Sequence, residues 1–141
     1  MQKPLLMVAL AFFIMIMSIA AIWLYTNQMD YLEKTVHETN KWVVISDSRG
    51  DIIAVETNDQ QIWNTLVDLN KNKTTMWIGG IVQLYGNKWG FRFNPNTIII
   101  AEITIEGAQS NIIGISNDID YWINTWEKET YVLAQVIELH G

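Results

Sequence analysis

From Pro4 to Tyr25 the chain runs PLLMVALAFFIMIMSIAAIWLY without a charged residue, and no face of the run is polar. A helix that is apolar all round has no place on the surface of a soluble domain. At about 1.5 Å per residue this one is long enough to cross a hydrocarbon layer of roughly 30 Å. Residues 1–25 are therefore expected to be a transmembrane anchor.

Lys3 is the only charge before the run, Trp23 and Tyr25 stand at its far end, and Asp30 and Glu33 follow. Interfacial aromatics and the positive-inside rule then put the N-terminus in the cytoplasm and the remainder outside, a single-pass arrangement in the cell membrane. Ser18-Ile19-Ala20 has the small-x-small form of a cleavage site, so a cleaved signal peptide is the competing expectation. Ile22, Trp23 and Leu24 continue the apolar run past that point, which favours an uncleaved anchor. Both versions export the rest of the chain.

Residues 26–40, TNQMDYLEKTVHETN, carry Met29, Leu32 and Val36 at helical spacing among charges, which predicts an exposed helical stalk. Residues 41–141 are left for one exported domain. The chain has seven Trp and five Tyr, and the six Trp and three Tyr that fall in this domain supply large side chains for a core, while the lack of Cys excludes disulfides and thiolate chemistry.

The domain opens with two short apolar runs, Trp42–Ile45 and Ile52–Val55, separated by the turn-rich Ser46–Asp51, which predicts a hairpin. Next, Asn58 is placed to cap a helix with Gln61 at its N3 position, and Ile62, Trp63, Leu66, Val67 and Leu69 share one face. That helix ends near Asn72-Lys73-Thr74, an N-glycosylation sequon.

Met76–Tyr85 predicts a strand whose Gly79-Gly80 pair marks a bulge, a close backbone approach or a ligand-facing notch. Turns at Gly86-Asn87 and Asn94–Thr97 flank a short strand over Trp89–Phe93, and Ile98–Glu106 reads as the longest strand. Gly107–Asn117 reads as a loop with an apolar centre and Asp118–Trp126 as a short helix. Tyr131–Leu139 reads as a final strand buried on both sides. The predicted class is α+β: a mainly antiparallel twisted sheet of about five to six strands with one or two packed helices, behind a single N-terminal transmembrane helix.

The run Trp89-Gly90-Phe91-Arg92-Phe93-Asn94-Pro95, the strand Ala101–Glu106 and the later Asp120-Tyr121-Trp122 follow an apolar helix and a glycine-containing strand. This order resembles a small, widespread α+β domain family, some members of which are filed as calmodulin-related or calmodulin-binding proteins. The resemblance spans about Val43 to Trp126 and implies a fold, not an activity. The chain departs from that family at Arg92, where its members tend to carry His, and at Ala108-Gln109, where they tend to carry Cys-Asp. A calmodulin partner does not follow, because an exported domain would not meet cytosolic calmodulin and the chain has no basic amphipathic helix.

Little catalytic chemistry is legible. His37 and His140 are the only histidines, one in the stalk and one in the tail. Glu102 and Glu106 would share a strand face about 13 Å apart at roughly 3.3 Å per residue, beyond the separation a retaining glycosidase uses. Asn117, Asp118 and Asp120 form a candidate metal site of hard oxygen ligands for calcium, although without EF-hand spacing, and the plainer interpretation is a helix cap with solvated acids. Phosphate-cradling glycine loops and Ser-His-Asp spacing are both missing.

A net charge of −6, to which the leader adds only Lys3, leaves the exported part acidic and argues against nucleic acid as a partner. Trp77, Trp89 and Phe91 could form an aromatic platform for a sugar or peptide, with Arg92 beside them. Core packing is the bland alternative for all three rings.

The expectation taken forward is a non-enzymatic binding or accessory module without a cofactor. It is held in the membrane through residues 4–25 and partnered by another membrane protein or complex. The alternatives are an exported sensor or ligand-binding domain lined by Trp77, Trp89, Phe91 and Arg92, and a hydrolase with an acidic site at Glu102.

Overall fold

A computed structural model describes residues 2–35, 41–103 and 107–141, with side chains from residue 3 to 25 and over the last two ranges. The chain divides into two compact units, residues 1–34 and 35–141.

The first unit is helix α1, Gln2–Thr35. Its segment Lys3–Tyr25 is long and apolar enough to cross a membrane, with a mean hydropathy of 2.8 and no part of it buried. The α1 backbone continues without a break through the first part of the predicted stalk, whereas Val36 and His37 lie outside the described residues.

The second unit is α+β. Strands β1 (Trp42–Asp47), β2 (Ile52–Glu56), β3 (Thr75–Leu84), β4 (Phe91–Phe93), β5 (Ile99–Ala101), β6 (Ala108–Ser110) and β7 (Glu129–His140) make one sheet of seven strands, more than the sequence suggested. The main path runs β2-β1-β7-β3-β4, with β5 on β3 and β6 on β7. Every pairing is antiparallel except β6 with β7. The predicted β1–β2 hairpin is present, with Val43 opposite Val55 and Ile45 opposite Ile53.

Alternation along the strands sends one row of side chains inward. Val43 and Ile45, Ile53 and Val55, Ile78 and Val82, Phe91 and Phe93, and Val132, Ala134 and Val136 form the core. Leu66 and Leu69 of helix α2 (Gln60–Asn72) and Ile112 and Ile115 of helix α3 (Ile112–Ser116) complete it. The sheet curls far enough for β4 to come beside β2, although no backbone ladder joins them.

Several boundaries differ from expectation for identifiable reasons. The cap of α2 is Asp59, whose Oδ1 accepts from the N–H groups of Gln61 and Ile62 at 2.8 and 3.0 Å. Asn58 is left exposed, because Thr57 closes the end of β2: its N–H donates to the Lys41 carbonyl and its Oγ1 accepts from Asp59 N–H. A carboxylate is the stronger acceptor for two helix N–H groups.

The long strand expected over Ile98–Glu106 is cut to Ile99–Ala101. The chain bends at Glu102 and Ile103, with Ile103 exposed, and residues 104–106 lie outside the described residues. The longest strand is β7 instead. It is buried on both faces only in its first half: beyond Val136, Ile137 and Leu139 face outward.

The predicted loop Gly107–Asn117 contains β6 and α3, with the Asn111 carboxamide capping α3 through Gly114 N–H at 2.7 Å. The predicted helix after Asp118 is wound over Tyr121–Trp126 as a π-helix, and Trp122 and Ile123 lean on the core from it. Gly79 and Gly80 are a close approach rather than a notch. A Cβ on Gly79 would lie 1.9 Å from the Thr130 carbonyl oxygen, and one on Gly80 would lie 2.9 Å from Thr97 Oγ1.

Candidate functional site

The residues singled out in the sequence are not brought together on one accessible surface. Strand alternation decides this: Phe91 and Phe93 point inward, edge to face with ring centroids 5.7 Å apart, whereas Arg92 between them points to the other side. Phe91 is fully buried and belongs to the core.

Trp89 stands in the β3–β4 turn, which Asn87 organises by accepting at Oδ1 from the N–H groups of Trp89 and Gly90. Gly90, at φ +81°, gives the turn its left-handed residue. The turn lays the Trp89 indole inward, and its Nε1 donates to the Ile52 carbonyl at 2.7 Å. Trp77 is half-buried on β3, between Ala101 of β5 and Leu133 of β7. Trp89 and Phe91 therefore belong to the core, while Trp77 stays half-buried outside it.

Arg92 has an equally internal role. Its guanidinium reaches Glu56 Oε2 at 2.8 Å with both side chains largely out of water, its Nε donates to Gln83 at 2.6 Å, and its charge lies 4.4 Å from the Tyr85 ring centroid. The planar fork of an arginine suits simultaneous pairing and stacking. Together with the Trp89–Ile52 bond, this pair bridges β2 and β4 where no ladder does.

Asn117, Asp118 and Asp120 lie where α3 ends and the next helical stretch begins. Asn117 closes α3 through its backbone N–H, Asp118 is exposed, and Asp120 Oδ1 accepts from Asn124 Nδ2 at 2.6 Å. Among the described residues no group of three or more His, Cys, Asp or Glu side chains is placed to hold a metal ion. Glu102 is exposed at the bend after β5, and its expected partner Glu106 lies outside the described residues. His140 stacks on Trp42 at 3.8 Å and contacts Glu138 at 3.2 Å.

Sequence reasoning passed over Asp47. Its Oδ1 accepts from the N–H groups of Arg49 and Asp51 at 3.0 and 3.1 Å, and its Oδ2 accepts from Ile112 N–H at 3.0 Å. The signal was present in Asp47-Ser48-Arg49-Gly50, an Asp at the first position of a turn that ends on Gly. Its long-range bond to α3 had no local signal.

Among the described residues, clefts open at two places on the domain that can be followed in full. One of about 280 Å³ is lined by Thr57, Asn58, Asp59, Ile62, Pro95, Asn96 and Ile98. Another of about 190 Å³ is lined by Ser46, Asp47, Ser48, Thr75, Leu133, Ala134, Gln135 and Ile137. Both fall short of the roughly 300 to 1,000 Å³ usual for small-molecule sites. Neither is lined by Trp77, Trp89, Phe91 or Arg92.

The fold defines a small α+β domain on a strongly curved, mainly antiparallel sheet, with an apolar helix ahead of it in the chain. Comparisons with protein-family models, with curated proteins and with solved structures found no match to this chain.

Proposed function

We propose that this protein is a single-pass, membrane-anchored accessory module. Its N-terminus is cytoplasmic, and its α+β domain works outside the membrane as a non-enzymatic binding partner of another membrane protein or complex. The observation that carries this reading is helix α1: over Lys3–Tyr25 it meets the length and hydropathy a membrane span needs, and none of it is buried against protein.

Orientation is supported by Lys3 ahead of the run and by the acidic residues after it. The accessory role is supported by how the domain spends its distinctive polar groups. Arg92, Glu56 and Asp47 hold strands and turns together, so these groups are spent on the fold and not on a ligand. Ile137 and Leu139, exposed along one face of β7, offer an apolar row for such a contact. The Trp89–Pro95 run and Asp120-Tyr121-Trp122 support grouping the domain with the small α+β family it resembles, and that likeness carries no activity with it.

The test is extraction and capture. The protein should stay with membranes through an alkaline wash, its C-terminal domain should be cut by protease added to the extracytoplasmic side, and mild detergent should release it with a stoichiometric membrane partner. Release by the wash would overturn the anchor. Protection from external protease would overturn the orientation, and a lone monomer in detergent would overturn the accessory role.

A further inference from the structure

The chain contains one Asn-x-Ser/Thr triplet, Asn72-Lys73-Thr74, and the structure places its asparagine at an exposed helix end. Asn72 is the last residue of α2. There the helix ends in a left-handed turn: Lys73 has φ 51°, its N–H donates to the Asn70 carbonyl, and Thr74 N–H donates to the Leu69 carbonyl. This is the geometry that stops a helix and turns the chain out of its axis. Asn72 is exposed and Thr74 half-buried, and among the described residues neither the Asn72 carboxamide nor the Thr74 hydroxyl makes a hydrogen bond.

Other asparagines show what disqualifies an acceptor. Asn70, two residues earlier, spends its Nδ2 on the Val136 carbonyl at 3.2 Å, and Asn87, Asn111 and Asn124 are each tied into a turn, a cap or a helix contact. Helix ends are also the part of a folded domain that opens at least cost, so the triplet can leave its turn while the core stays shut. Lys71 and Lys73 flank Asn72 and are exposed, which puts positive charge beside the acceptor nitrogen.

We propose that Asn72 is the acceptor of an N-linked glycan, transferred from an anionic lipid-phosphate-linked oligosaccharide on the outer side of the membrane. In that step the Asn72 carboxamide nitrogen forms a bond to the anomeric carbon of the donor sugar. The bond from that carbon to the donor phosphate oxygen breaks, the lipid phosphate leaves with the electron pair, and the amide proton passes to a base of the transferase. The Thr74 hydroxyl, two residues on, is the group by which a transferase selects this carboxamide over the others. The glycan would stand beside the cleft lined by Thr75 and Gln135, since Gln135 also donates to the Lys73 carbonyl at 3.0 Å.

This inference rests on the exported placement proposed above, so its test carries a separate reporter of sidedness. The full chain is translated into membranes competent for N-glycosylation, with a second sequon on a short flexible extension after Gly141. Each site is read by mass before and after treatment with an amide-cleaving glycosidase. The expected result is two glycan-sized mass steps, one of which is lost in Asn72→Gln and in Thr74→Ala and kept in Thr74→Ser. An unmodified Asn72 beside a modified extension overturns the inference and leaves the exported placement standing. Modification at neither site overturns the exported placement and the inference with it.

Discussion

Replacing Asp47 by Asn tests how much of the domain hangs on one carboxylate. Both side chains have the same shape, but only the carboxylate presents acceptors on both ends. Oδ1 serves the N–H groups of Arg49 and Asp51 in the β1–β2 turn, and Oδ2 serves the buried N–H of Ile112 at the start of α3. With Asn, one end becomes an NH₂ group and faces a donor. If the carbonyl stays with the turn, Ile112 N–H is left buried and unpaired; if the amide flips, two turn donors lose their acceptor.

A hydrogen bond to a charged group contributes about 1.5 to 3 kcal/mol, and a buried donor left unpaired costs about 1 to 3 kcal/mol. The turn donors are only part-buried and can find water, so Asp47→Asn should cost about 2 to 3 kcal/mol and Asp47→Ala about 3 to 5 kcal/mol. At roughly 4 to 8 °C per kcal/mol for a domain near this size, the Asn variant should melt about 10 to 20 °C lower. The assay is thermal unfolding of the full chain in detergent, followed by near-ultraviolet circular dichroism of its tryptophans and paired with amide exchange read at Ile112. Exchange there should quicken in Asp47→Asn beyond the increase expected from lost global stability. A melting point within about 2 °C of the parent with Ile112 equally protected would refute the reasoning.

Removing Arg92 takes a charge-assisted hydrogen bond from a Glu56 carboxylate that is largely out of water, so Arg92→Met should cost about 3 to 5 kcal/mol in denaturant unfolding. The double variant Glu56→Leu with Arg92→Met should cost less than that single change, and strict additivity would contradict a buried pair. Gly79→Ala should abolish cooperative folding, because the added methyl falls 1.9 Å from the Thr130 carbonyl oxygen; a well-folded variant by circular dichroism would show that β3 and β7 can part there. Thr130 Oγ1 is buried and lacks a hydrogen-bond partner among the described residues. Thr130→Val should therefore raise stability by about 1 kcal/mol, and a loss of stability would mean that the hydroxyl is in use.

What could be read from the sequence was what neighbours in the chain decide. The β1–β2 hairpin follows from two apolar runs around a turn, α2 from its apolar spacing, and β3 and β7 from their β-branched and aromatic residues. What could not be read depends on distant residues. Ile98–Glu106 has a strand's composition throughout, but its pairing with β3 ends at Ala101, opposite Trp77, and the chain bends beyond it. The parallel seat of β6 exists only because β1 leaves the first residues of β7 open. Trp89, Phe91 and Arg92 looked like a lining because they are large and close in sequence. Ile52 and Glu56, which accept from Trp89 and Arg92, lie far back in the chain, with nothing local to mark them.

The place where β4 comes round to β2 has a mechanical consequence. The curved wall is stitched there by an indole hydrogen bond and an ion pair, while its other main joints are woven from backbone amides. Two side chains can swing away without a strand being torn from its neighbour. Under mechanical strain the wall should therefore unfasten along that line first, like a garment at its buttons, and close again with its strands still in register.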